Sequence, residues 1–127
     1  MALKAIVTDK APAALGPYSS GIIAGNAVHV SGMLGIDPAT GEYAGTDIAS
    51  QTSQSLTNLR NVLEAADATM ADVAETTVFL ADMADFTAMN EIYATFFSEP
   101  FPARACFQVA ALPAGALVEI KAVAYRA

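Results

Sequence analysis

Between Ile48 and Ala66 the chain returns to an apolar or small residue every three or four positions, at Ile48, Thr52, Leu56, Leu59, Leu63 and Ala66. Gln51, Ser55, Asn58 and Arg60 fall mostly elsewhere. This spacing predicts one amphipathic helix with a single buried stripe, opened by Asp47 as its N-cap. One stripe needs a cover, and the flanking segments supply it, because they read as strands rather than helices. Leu3 to Thr8, Ile22 to Ala24 and Ala27 to Met33 precede the helix; Val73 to Leu80, Ala103 to Val109 and Leu117 to Ala124 follow it. All are rich in β-branched or aromatic residues, or alternate with period two.

Punctuation supports the division. Lys10 to Ser20 holds prolines and a glycine and reads as a loop, Gly25-Asn26 suits a tight hairpin, and Asp37-Pro38-Ala39-Thr40-Gly41 is a turn by composition. A second helix is expected after a cap at Asp82 or Asp85. Its stripe is Phe86, Met89, Ile92, Tyr93 and Phe96, and Glu99-Pro100-Phe101-Pro102 ends it. A Leu112-Pro113-Ala114-Gly115 turn separates the last two strands. The order β-β-β-α-β-α-β-β predicts an α+β fold in which two helices cover one face of a mixed sheet. The other face is then free to pair with another subunit.

With 127 residues, no linker and no repeat, residues 1–127 read as one domain. The 54% hydrophobic content exceeds what one small core needs, which predicts an oligomer. No apolar run reaches the roughly 18 residues of a membrane span, and Met1 to Asp9 lacks the pattern of a signal peptide. A cytoplasmic protein is the expectation. One cysteine, Cys106, and one histidine, His29, leave no set for a disulfide or a Cys/His metal site within the chain, so metal-free chemistry is expected. A formal net charge of −7 opposes polyanions, which argues against nucleic acid and anionic membranes as partners.

Against that background Arg104 stands out. Only six Lys and Arg face thirteen Asp and Glu, and of the three arginines only Arg104 falls in a strand-like apolar stretch. A buried guanidinium needs an anionic partner, and a small acid held by charge-assisted, two-point pairing would meet the need. Alternation puts Arg104, Cys106 and Gln108 on one face of their strand, and Leu117, Glu119 and Lys121 on one face of the next. If those strands are neighbours, a cation, a thiol and a carboxylate converge. A simple cross-strand ion pair between Arg104 and Glu119 accounts for the same spacing.

Gly16-Pro17-Tyr18, Val30-Ser31-Gly32, Ile36-Asp37-Pro38-Ala39-Thr40-Gly41-Glu42, Asn90-Glu91-Ile92-Tyr93, Pro102-Ala103-Arg104-Ala105-Cys106, Leu112-Pro113 and Val118-Glu119-Ile120 occur in this order along the chain. Together they resemble the RidA (YjgF/YER057c/UK114) family over essentially the whole length. The resemblance implies a chorismate-mutase-like (YjgF-like) fold, assembled as a homotrimer around a central β-barrel, with active sites in clefts between subunits. It also implies an activity: hydrolysis of reactive 2-imino acids and their 2-aminoacrylate-type enamine tautomers, such as 2-iminopropanoate and 2-iminobutanoate, to 2-keto acids and ammonia. No cofactor is implied. The substrates leave pyridoxal-phosphate-dependent dehydratases, a functional link without direct binding.

Carried onto these residues, the resemblance makes Arg104 the carboxylate grip and Glu119 the group that activates water and returns a proton to nitrogen. Cys106 is expected to line the site and offer its backbone N–H rather than act as a nucleophile. Tyr18 would close one wall, Ser31 and the Gly32 backbone would supply donors at the cleft floor, and Asn90 would add a polar contact. Asp37 reads as a turn former, His29 as a polar strand residue, and the second helix's aromatic stripe as core. Met33 stands where the family often has glutamine, and Ser98 to Phe101 is short, both bearing on cleft size. A non-catalytic small-acid-binding or chaperone-like member is the alternative. A ribonuclease, an activity also attached to the family, lacks its basic patch with interleaved aromatics here.

Overall fold

The computed structural model describes residues 2–127. Six strands form one mixed sheet: β1 (Leu3–Ala5), β2 (Gly21–Ala24), β3 (Ala27–Leu34), β4 (Val73–Leu80), β5 (Ala103–Gln108) and β6 (Val118–Tyr125), in the spatial order β1-β2-β3-β6-β4-β5. Two helices, α1 (Ile48–Ala65) and α2 (Phe86–Tyr93), pack on it and on each other. The expected α+β architecture is what forms. Among the described residues only the β4–β5 pair is parallel, and α2 lies in the connection between them, as a parallel crossover requires.

Local chemistry explains the boundaries. Asp47 caps α1 by accepting the Ser50 N–H at 2.7 Å. Gly25 takes φ 63° in the β2–β3 hairpin, the conformation that suits glycine there. Asp37 accepts the Ala39 N–H at 2.9 Å and forms the turn its sequence suggests. β1 is shorter than the Leu3 to Thr8 reading, because the chain turns Ile6 into the core while Val7 points to solvent. The second helix is also shorter than its stripe: Asp82 caps a 3₁₀ turn, Met83–Asp85, ahead of α2, and turns rather than helix carry Thr95 and Phe96.

The core lies between sheet and helices. Val28, Val30, Val78, Leu80, Val118, Ile120, Ala122 and Ala124 point from the strands toward Leu56, Leu59, Val62 and Leu63 of α1 and Met89 and Tyr93 of α2. Burial of a large aliphatic side chain contributes roughly 1.5–3 kcal/mol, so this layer carries most of the stability.

Two expectations need correction. Gln51, Ser55 and Asn58 are buried, not displaced to solvent, because each finds a backbone partner at the strands α1 packs on, the Leu117 N–H just before β6 for Gln51 and the Met33 and Leu34 carbonyls of β3 for Ser55 and Asn58. And β5 and β6 are not neighbours: β4 lies between them, because its parallel crossover to β5 and its antiparallel ladder to β6 occupy both its edges.

Candidate functional site

Strand register decides what can meet. Thr76 on β4 pairs with both Arg104 on β5 and Ala122 on β6, and Thr76 and Ala122 are buried under the helices. Arg104 therefore projects on the covered face, where the guanidinium reaches α2. Three residues along, an odd step that changes face, Phe79 pairs with both Phe107 and Glu119, which places Glu119 on the open face. There the Phe79 and Phe107 rings meet edge to face at 5.3 Å. Within one chain Arg104 and Glu119 do not converge, and the cross-strand ion pair is absent.

Arg104 is exposed, at the edge strand, rather than buried as its apolar neighbours suggest. It nevertheless has a built seat. Its Nη1 donates to Asn90 Oδ1 at 2.8 Å, and the guanidinium lies 4.8 Å from the Tyr93 ring centroid and 5.6 Å from that of Phe86. Phe86, Asn90 and Tyr93 are spaced four and three residues apart on α2, so one helix face holds the cation from three sides. Tyr93 is fixed in turn by a buried 2.7 Å hydrogen bond to Thr76 Oγ1. The other arginines are engaged elsewhere, Arg60 over Phe96 at 5.4 Å and Arg126 donating to Ala66 O at 2.9 Å. Arg104's partner is a neutral amide, so its charge remains available to an anion.

A cavity of about 300 Å³ opens beside it, lined by Asn90, Tyr93, Ala94, Phe101, Pro102 and Arg104. Cys106, two residues along the same face, is half-buried, and burial pushes its thiol pKa up while Arg104 pulls less strongly the other way. A thiol held protonated is a poor nucleophile. Val109 N donates to Leu80 O on β4, so by alternation along β5 the backbone N–H of Cys106 points outward from the open edge.

The other residues gather on a second locus. β3 departs from regular register against β6 between Val30 and Met33, and Gly32 sits in that irregularity. A Cβ at Gly32 would lie 2.7 Å from Glu119 Cδ, so the carboxylate rests in a notch that only glycine leaves open. Glu119 is half-buried, and this desolvation raises its pKa above the usual carboxylate value. Tyr18 and Gly32 line a small cleft of about 40 Å³ with Leu15 and Met33. Ser31 differs from expectation: its N–H donates to Ser20 O and its hydroxyl to Ser19 O, so both donors are committed to the 19–20 loop.

The expected residues thus divide in two. Arg104, Asn90 and the outward N–H of Cys106 lie by the edge of β5; Glu119, Gly32, Ser31 and Tyr18 lie at the β3–β6 notch. The sequence reading gave Phe86 and Tyr93 to the core and singled out no role for Thr76 within its strand, although the 86–90–93 spacing was there to be read. Among the described residues no group of three His, Cys, Asp or Glu side chains is placed to hold a metal ion.

The chain is similar to known proteins over nearly its whole length. The family model described as endoribonuclease L-PSP matches residues 8–126. Over 119 residues the chain is 50% identical to Reactive Intermediate Deaminase A, chloroplastic, from Arabidopsis thaliana; the match takes in 94% of this chain but 64% of that protein's length. It is 46% identical over 121 residues to 2-iminobutanoate/2-iminopropanoate deaminase from Bos taurus, covering 95% of this chain and 88% of the bovine protein. The crystal structure of RidA from the Antarctic bacterium Psychrobacter sp. PAMC 21119 superposes with a TM-score of 0.94 at 45% identity, over 97% of this chain and 99% of that one. With motifs, topology and whole-length similarity in accord, the chain belongs to the RidA family, the group that the endoribonuclease L-PSP model describes.

Proposed function

We propose that this protein is a deaminase that hydrolyses reactive 2-imino acids, 2-iminobutanoate and 2-iminopropanoate among them, and their enamine tautomers to 2-keto acids and ammonia. It acts in the cytoplasm as a homotrimer, without a cofactor, on products released by pyridoxal-phosphate-dependent dehydratases. The observation that carries the reading is the pairing of two incomplete loci. Among the described residues, one holds a cation with no acid partner, the other a desolvated carboxylate with no cation. A second copy of the chain that sets its notch against the edge of β5 completes a site with both.

In such a site the Arg104 fork and the Cys106 N–H hold the substrate carboxylate, with Asn90, Tyr93 and Phe86 keeping the guanidinium in place. Glu119 takes a proton from water as the water oxygen bonds to the carbon of the protonated imine (C=NH₂⁺), giving a neutral carbinolamine. The same carboxyl then gives that proton to nitrogen. As the C–N bond breaks, the hydroxyl proton returns to Glu119 and the keto acid and ammonia leave. An enamine enters after its terminal carbon takes up a proton to form the imine. Tyr18 walls the cleft, Gly32 leaves room for the carboxylate, and Ser31 holds the loop that carries Tyr18 through its bonds to residues 19 and 20.

The test is ammonia and keto-acid release from 2-iminopropanoate or 2-iminobutanoate generated enzymatically in place, comparing wild type with Arg104→Ala. Acceleration by the wild type and its loss in the variant support the reading. No acceleration, or an unimpaired variant, overturns it, and keto-acid binding without turnover points to a binding protein instead.

A further inference from the structure

Helix α1 carries a row of polar side chains that the site chemistry does not use, yet they are buried. Gln51, Ser55 and Asn58 are 4%, 0% and 0% exposed. Their hydrogen bonds go to the chain segments around the Glu119 notch. Ser55 Oγ donates to Met33 O at 2.7 Å, and Asn58 Nδ2 donates to Leu34 O at 3.1 Å and to Ile36 O at 2.8 Å. Gln51 Oε1 accepts the Leu117 N–H at 2.9 Å, while its Nε2 donates to Gly45 O at 3.0 Å. Gln54 Nε2 donates to Asn58 Oδ1 at 2.8 Å, which turns the Asn58 amide so that its NH₂ faces the strand.

These anchors bracket the notch. Met33 and Leu34 directly follow Gly32, Leu34 is the register partner of Glu119, and Leu117 lies two residues before it. Gly35 lies so close that a Cβ there would be 2.6 Å from Gln51 Cα, so helix and strand end are in contact without a side-chain layer between them. Irregular register at 30–33 leaves this stretch of β3 less tied to β6 than a regular ladder would, and the helix supplies the missing constraints. Thr52 provides an internal contrast. It is equally buried, but its hydroxyl has no partner, so burial on this helix alone does not produce the anchoring.

We propose that Gln51, Ser55 and Asn58 are positioning residues that set where the Glu119 carboxylate stands over Gly32, so that the covered face of the sheet governs chemistry on the open one. The inference rests on the reading of Glu119 as the water-activating group. Its register partners, Leu34 on β3 and Phe79 on β4, do not titrate. The charged or titratable groups sharing the open face nearby are Lys121 on β6 and, both register partners of Val123, His29 on β3 and Glu75 on β4.

The experiment compares wild type, Gln51→Met, Ser55→Ala and Thr52→Val at a temperature where circular dichroism shows each folded. It measures kcat and KM for the imine, the pH profile of kcat, and the Glu119 titration by carboxyl carbon NMR. Gln51→Met and Ser55→Ala are expected to lower kcat by about tenfold with KM within about twofold, and to move both the acid limb and the Glu119 titration. Thr52→Val is expected to keep the wild-type profile. Lower melting temperatures with unchanged kcat, acid limb and Glu119 titration would overturn the proposal, since a structural role alone predicts that result. Should the wild type turn over no imine, the functional reading fails separately, and the Glu119 titration alone decides: unmoved in both variants, it overturns the positioning role. If Gln51→Met does not fold, the milder Ser55→Ala decides by the same readouts.

Discussion

Arg104 and Glu119 stand on opposite faces of one sheet: Arg104 shares the covered face with its register partner Thr76, and Glu119 shares the open face with Phe79. No side-chain rotation within one chain brings the guanidinium and the carboxylate onto one small substrate. Function through both residues therefore requires two copies.

Mixing separates a shared site from a self-contained one. Arg104→Ala and Glu119→Gln are each expected to be inactive, by 100-fold or more on the order of magnitude that positioning and proton transfer supply. Unfolded together in equal amounts and refolded, they should regain about one quarter of wild-type activity, because random assembly into a closed ring restores about one site in four. Activity that stays at the single-variant level after mixing, with the oligomer shown to form, would contradict a site built from two copies.

The Thr76–Tyr93 hydrogen bond is a test of the seat beneath Arg104. Thr76→Val leaves the Tyr93 hydroxyl buried without its partner and is expected to cost about 1–3 kcal/mol of stability in denaturant unfolding. Tyr93→Leu removes the ring 4.8 Å from the guanidinium. Its main effect should fall on KM, raised about fivefold, in keeping with a cation–π contact of about 1 kcal/mol. A KM identical to that of the wild type would exclude the aromatic ring from holding the arginine.

Glu119 ties activity and stability to pH in opposite directions. Its carboxyl pKa is raised by burial, so a water-activating role predicts an acid limb of kcat above the usual carboxylate range, with activity falling as protons are added. Folded-state pKa above the unfolded one means that the folded form holds the proton more tightly. The group's relative stabilising effect is thus complete below the unfolded pKa and is lost as pH rises through the folded one. Glu119→Gln should accordingly be inactive yet melt at or above the wild-type temperature at neutral pH. The gap should close near pH 3, and thermal melts across this range give the answer.

Gly32 permits no side chain where Glu119 rests. Gly32→Ala must push the carboxylate aside, and a displacement of about 1 Å is expected to lower kcat by about 100-fold while keto-acid binding at Arg104 persists. Calorimetry with pyruvate and steady-state kinetics on the same preparation check both halves of the statement.

Much of this molecule can be read from local chemistry. The helical spacing from Ile48 to Ala66, the Asp47 cap, the Gly25-Asn26 hairpin, the Asp37 turn and the alternation of Val118, Ile120, Ala122 and Ala124 each act over a few residues, and each leaves a mark in the order of the amino acids. The motif order was enough to place the chain in its family. Where the reading went astray, the deciding partner lay far along the chain. Gln51, Ser55 and Asn58 appear solvent-facing until the carbonyls of Met33, Leu34 and Ile36 and the N–H of Leu117 arrive to satisfy them.

The separation of Arg104 from Glu119 is of the same kind. Residue types and period-two alternation determined that a cation and a carboxylate would each project from a strand, and that an apolar helix stripe would seek a sheet. Which strands adjoin, and so which faces those side chains share, was decided only by the tertiary structure. Strand pairing is chosen by long-range hydrogen bonding and by the crossover through α2, which no window of neighbouring residues contains.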